Sequence, residues 1–169
     1  MLRSAGISRC KAYRYWLRRR WDEGPEVIFI GLNPSTDDSK SDDPTLRRIM
    51  GFSHKWGFSG VTVINLFAWR SQDPRELRKV EDPVGPRNNY WLKKFSQGTE
   101  PVVAAWGNGG GFRARNQFVL ATVAELYCFG QTQRGHPRHP LYAPVNSRLI
   151  ELDKSANYNY KSPRSRPVG

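Results

Sequence analysis

The sequence predicts a three-layer α/β/α sandwich around a central, mainly parallel four-stranded sheet, and three observations lead there. Four short runs, "VIFIG" from Val27, "VTVINLFAW" from Val61, "VVAAWG" from Val102 and "ELYCFG" from Glu125, are rich in β-branched or aromatic residues. Their apolarity is near-continuous rather than alternating, as in strands buried on both faces of a parallel sheet. The stretches between them carry helix signals, and strands alternating with helices make crossover units.

Each helical stretch has its own reason. In "DDPTLRRIMGFSHKWG", Asp43 is a natural N-cap and Pro44 takes the first helical position. Leu46, Ile49, Met50 and Ser53 then fall at helical spacing until Gly57 ends the run. "DPRELRKV" sets Asp73 and Glu76 in a capping-box pattern around Pro74. A third helix is predicted from Pro86 in "GPRNNYWLKKF", and "FRARNQFVLATVA" places Phe112, Val119, Leu120 and Val123 on one side of a fourth. Ahead of the first strand, "YRYWLRRRW" alternates aromatic with basic residues, which suits an extra edge strand or a hairpin. Residues 1–152 therefore read as a single α/β domain with a basic N-terminal segment. Residues 153–169, rich in Ser, Asn, Pro and Arg, read as a basic, loosely held tail.

Composition narrows the function classes. No stretch approaches the ~20 apolar residues of a membrane span, and the N-terminus shows no secretory signal. Cys10 and Cys128 can form at most one disulfide and cannot complete a four-cysteine site, so they read as reduced thiols of a cytoplasmic protein. Against 15 acids stand 27 Lys and Arg, a formal charge of +12. Seven of these bases and no acid lie between Met1 and Trp21, and four more follow Asp153. Such an excess suits a polyanionic partner, because each phosphate neutralised releases counterions. A solvated basic face is the plainer account of the same charge. No membrane and no obligate protein partner is expected.

The loops after the four strands carry the chemistry-bearing residues. In "GLNPSTDD", Gly31 permits close backbone approach, Asn33 offers a donor and an acceptor, and Pro34 stiffens the turn. Asn33 held there orients a water, or it only caps its own turn. Asp37, Asp38, Asp42 and Asp43 crowd nearby as candidate general bases, and without suitably spaced His ligands no metal is expected. Asn65 interrupts the apolar run "INLFAWR", so its amide is either satisfied by a neighbouring loop or faces a pocket and reads a ligand edge. "WGNGGGF" is a Gly-rich turn that matches neither the dinucleotide pattern nor the P-loop. "GQTQRGHPRHPLY" holds His136 and His139 beside stiffening prolines, and either imidazole suits an electrophile or acid.

Three of these segments in order resemble the uracil-DNA glycosylase superfamily. Gly31-Leu32-Asn33-Pro34 is similar to its first motif, "VINLFAWR" to its middle strand ending in a base-reading Asn, here Asn65, and "HPRHPLY" to its His-Pro-containing second motif. The resemblance implies that the second motif enters the DNA minor groove and stabilises the oxyanion of the leaving base. The pattern Pro-x-His-Pro-Leu-Tyr favours His139 over His136, although an extra residue separates His136 from Leu141. Over nearly its whole length the chain also resembles the bacterial and phage family DUF1643, which brings no assigned activity. The iron-sulfur branches of the superfamily need four cysteines that this chain lacks.

Together these readings give an expected DNA glycosylase-like hydrolase that flips out a base, modified or not, and cleaves its N-glycosidic bond without a cofactor. Asn33, with Asp37 or Asp38, would activate a water, and His139 would stabilise charge on the departing base. Asn65 would read the base edge, with Phe67, Phe52 or Trp56 stacking on it. Gly31, Leu32, Pro34, Ser35 and His136 would complete the substrate site, and Arg134, Arg138 and the basic N-terminus would follow phosphates. A noncatalytic nucleic-acid-binding module of the same fold and a hydrolase of free nucleotides or nucleosides are the alternatives.

Overall fold

A computed structural model describes residues 1–37 and 40–155. Asp38 and most of the expected tail, from residue 156, lie outside the described residues. The chain runs β1 (Leu2–Ile7), β2 (Arg14–Arg20), β3 (Glu26–Gly31), α1 (Pro44–Lys55), β4 (Gly60–Asn65), α2 (Asn88–Ser96), β5 (Val102–Ala104), α3 (Arg115–Thr122), β6 (Tyr127–Cys128) and β7 (Ile150–Glu151). Three 3-10 segments, Pro74–Lys79, Gly107–Ala114 and Pro140–Tyr142, fill connections.

The expected four-stranded, mainly parallel sheet needs correction: the sheet is mixed, with seven strands in the order β1-β2-β4-β3-β5-β6-β7. β3 pairs parallel with β4 and β5, and β5 with β6. Antiparallel pairings add β2 and β1 on one side and β7 on the other. The outer strands escaped the sequence reading for physical reasons. β1 has no buried residue and lacks an apolar pattern, and β7 has only two residues. "YRYWLRRRW" is indeed half of a hairpin, but β2 lies inside the sheet while β1 takes the edge.

Alternation along the strands sorts the core into two layers. Val27, Phe29, Val61 and Val63 face Leu46, Ile49 and Phe52 of α1. Ile28, Ile30, Ile64 and Val102 face Leu92 of α2 and Val119 and Leu120 of α3. Asp43 caps α1, its Oδ1 accepting from the Leu46 N–H at 2.7 Å, and Gly57 at φ +84° lies just past the helix end. Other helix boundaries differ from expectation. The segment after Pro74 is 3-10, α2 begins at Asn88 rather than Pro86, and α3 begins at Arg115. Phe112 is extended and Arg113 and Ala114 are left-handed, so the chain kinks before α3.

These connections create a crevice. The chain leaves β3 toward α1 on one face, whereas it leaves β4 and β5 toward helices on the other. Strand ends that diverge in this way open a space at the carboxyl edge of the sheet.

Candidate functional site

The parallel register sets Gly31 directly beside Asn65 at the ends of β3 and β4. The segment after β3 is then tied to the segment after β4: Leu66 N–H donates to Gly31 O (2.9 Å), Phe67 N–H to Leu32 O (3.0 Å) and Ser71 N–H to Pro34 O (3.0 Å). Asn33 Nδ2 joins the ties, donating to Pro34 O at 3.1 Å and Ser71 O at 3.0 Å. Both partners are carbonyls, which fixes the amide orientation. Its Oδ1 is left without a hydrogen bond among the described residues. On the other side, Asn88 Nδ2 donates to the Asn65 and Leu66 carbonyls at 3.0 Å each, and Arg115 Nε to Leu66 O at 2.9 Å.

Over this platform lies a cavity of about 530 Å³, within the size range of small-molecule sites. Leu17, Leu46, Ile49, Val63 and Ala105 supply its apolar lining. Asn33, Asn65 and His139, far apart in sequence, all line it. Asn65 is 5% exposed, and its side-chain amide makes no hydrogen bond among the described residues. Gly31 makes room for that amide, since a Cβ there would stand 2.7 Å from Asn65 Oδ1.

His139 caps the Pro140–Tyr142 turn, its Nδ1 accepting from the Leu141 N–H at 3.2 Å. Burial pushes the imidazole below its ordinary value, and Asp43 opposes this only in part. A neutral ring whose Nδ1 is an acceptor carries its proton on Nε2, so His139 offers one N–H donor. Leu141 and Tyr142, exposed by 45% and 80%, follow it on the cavity wall.

The remaining candidates divide. Gly31, Leu32, Pro34, Ser35 and Asp37 line the cavity. Asp37 is already engaged, its Oδ1 accepting from Gln72 Nε2 at 3.1 Å and its carbonyl from Arg70 Nη2 at 3.2 Å. Asp42 instead pairs with Arg19 (2.9 Å) and Arg3 (2.8 Å). Among the described residues no group of three or more His, Cys, Asp or Glu could hold a metal.

The other expected contributors are placed elsewhere. Phe67 is fully buried, its ring 5.4 Å from Phe112, and cannot stack on a ligand. Phe52 and Trp56 likewise pack on Phe129, at 4.6 Å and 5.4 Å, in the core beneath α1. His136 is buried beside a separate hollow of about 460 Å³ that the Gly-rich segment also lines. Arg138 is exposed and borders an adjoining hollow with His139, Leu141 and Tyr142. The N-terminal bases are less free than their number suggests. Arg18 and Arg20 pair with Glu26, and Arg3 and Arg19 with Asp42.

One lining residue had no functional signal in the sequence: Arg14, only 6% exposed. On a regular strand Arg14 and Leu17, three positions apart, would face opposite ways. However, Gly6 pairs with Trp16 and Ile7 with Arg14, so Tyr15 is an extra residue on β2. That bulge turns Arg14 onto the face of Leu17 and into the cavity.

Fold and site thus define a mixed α/β protein with a cavity of mixed polar and apolar lining at the carboxyl ends of its parallel strands. The chain belongs to the family described as "Protein of unknown function (DUF1643)", whose model matches residues 14–141. No curated protein and no solved structure matches it. No helix among the described residues is long and apolar enough to cross a membrane.

Proposed function

We propose that the protein is a uracil-DNA glycosylase-like hydrolase that takes a base out of DNA into this cavity and cleaves its N-glycosidic bond. The observation that carries the reading is the convergence of Asn33, Asn65 and His139 on one cavity of about 530 Å³. In this scheme Asn65, its amide unpartnered at the strand end, reads the base edge. Asn33 Oδ1 orients the attacking water while Nδ2 holds the loop rigid, and Asp37 assists. The Nε2–H of His139 meets the negative charge that grows on the departing base, a task for a fixed donor rather than a strong acid. Leu141 and Tyr142, exposed on the cavity wall, would serve as the wedge that fills the gap the base leaves in the stack. Arg134 and Arg138 follow the phosphates.

The test is incubation of the protein with single- and double-stranded oligonucleotides carrying different modified bases, followed by alkaline cleavage at abasic sites. Excision of at least one base is expected, and Asn65→Ala should abolish it while leaving salt-dependent DNA affinity nearly unchanged. Intact strands across the whole panel would exclude the glycosylase reading.

A further inference from the structure

We infer that the substrate carries an anionic oxygen pair, on a phosphate or a carboxylate, and that Arg14 receives it inside the cavity. This deepens the proposed function, because it rests on the cavity being the substrate site. Three arginines are buried among the described residues, Arg14, Arg19 and Arg115. Two are satisfied within the chain. Arg19 meets Asp42 and the carbonyls of Arg18 and Ser41, and Arg115 meets Leu66 O and Asn89 Oδ1. The Arg14 guanidinium makes no hydrogen bond and no ion pair among the described residues, and its Nε is wholly buried without a partner.

A buried ion left uncompensated is strongly destabilising, which makes an internal explanation by packing alone insufficient. The groups around Arg14 do not resolve it. Asp43 and Asp37 line the same cavity, but Asp43 caps α1 and Asp37 accepts from Gln72, and neither forms an ion pair with Arg14. Asp43, and more weakly Asp37, offset part of the effect of burial on Arg14 from a distance, whereas Arg70 and Arg19 add like charge. Burial pushes that value down to about 10, so the group stays charged at neutral pH. The bulge at Tyr15 is the device that aims it. A guanidinium presents its donors as a planar fork, whose natural complement is two oxygens of one anion. Asn65 in the same cavity suits a neutral edge, so the ligand that satisfies both has a polar ring and an anionic group.

The test is calorimetric titration of the full chain with the four 2′-deoxynucleoside 5′-monophosphates and their nucleosides, with uracil and 5-carboxyuracil, and with inorganic phosphate as competitor. Wild type should prefer the anionic member of at least one kind of pair by about tenfold to a hundredfold. Arg14→Gln should bring the two members level, and Arg14→Lys, which keeps charge but loses the fork, should retain an intermediate preference. A preference for monophosphates identifies a nucleotide phosphate as the anion, and one confined to 5-carboxyuracil identifies an acidic base. Equal affinities in wild type, no binding of any anionic probe at millimolar concentration, or full preference in Arg14→Lys overturns the inference. Should Arg14→Gln fail to fold, the wild-type and Arg14→Lys titrations still decide it. Because affinity is read rather than excision, a protein that binds anions yet excises nothing refutes only the proposed function.

Discussion

Gly31→Ala separates the fold from the site. The added Cβ would stand 2.7 Å from Asn65 Oδ1, whereas the next nearest atoms are 3.8 Å and 4.0 Å away. Only the amide must give way, by about 0.7 Å to regain ordinary contact at 3.4 Å. Alanine in place of glycine within a strand gains about 0.5–1 kcal/mol of backbone entropy. Forcing the Asn65 amide off its rotamer costs about 0.5–1.5 kcal/mol, so the two nearly cancel. The melting temperature should therefore move by no more than about 4 °C. Catalysis should not survive so well, since a misplacement near 1 Å at a reading group costs about a hundredfold. Excision kinetics and a circular-dichroism melt, run on Gly31→Ala, Asn65→Ala and the double variant, check both halves. The double variant should be no worse than Asn65→Ala, because both changes act through one amide. Wild-type excision by Gly31→Ala would show that the Asn65 amide does not touch substrate, and gross unfolding would show that more than the amide had to move.

Two further outcomes are expected. Asp42→Ala removes a carboxylate that pairs with the fully buried Arg19 and should lower stability by about 3 kcal/mol, read as a shift of about 6–12 °C in melting temperature. Burial works against the Asp42 carboxylate, but hydrogen bonds from Arg19 and Arg3 outweigh it and hold the carboxyl below its ordinary value. Its contribution is thus complete above the unfolded value near 3.9 and disappears as pH falls through the lower folded value, so wild type and Asp42→Ala should converge in acid melts. Coincident stability curves at neutral pH would contradict this. For His139 the sign runs the other way round: a depressed imidazole stays neutral to lower pH than a free one. The acid limb of kcat/KM for excision should therefore fall below about pH 6.5 and vanish in His139→Ala, and a limb above that value would remove His139 from the neutral-donor role.

Legibility in the sequence followed the physics of each signal. Asn33, Asn65 and His139 stood out because a polar group that breaks an apolar run, or sits between prolines, needs a local reason. The buried strands were legible because both their faces are apolar. Arg14 was not, since its aim depends on a one-residue bulge against β1 that no periodicity records. Phe67 follows Asn65 by two positions and would share its face on a continuing strand, but β4 ends at Asn65 and the chain turns Phe67 into the core. His136 and His139 are equivalent in composition. The Gln131–Pro137 bridge buries the first, and the Pro140–Tyr142 turn presents the second.

Charge shows the same limit from another side. Seven bases before the first acid suggest a surface for phosphates, yet four of them are held by Glu26 and Asp42 and a fifth, Arg14, is buried. Only Arg9 and Lys11 of that segment are left exposed and without an ion pair among the described residues. A paired arginine releases fewer counterions from DNA than a free one, so the formal charge of +12 overstates the cationic face that a duplex meets. Exposed bases adjacent in the chain to cavity-lining residues include Arg138, beside His139, and Arg47, beside Leu46 on the first turn of α1. On the proposed reading, discrimination between ligands falls to the cavity, where the Asn65 amide and the Arg14 guanidinium have no hydrogen-bond partner among the described residues, rather than to the strand that carries most of the N-terminal charge.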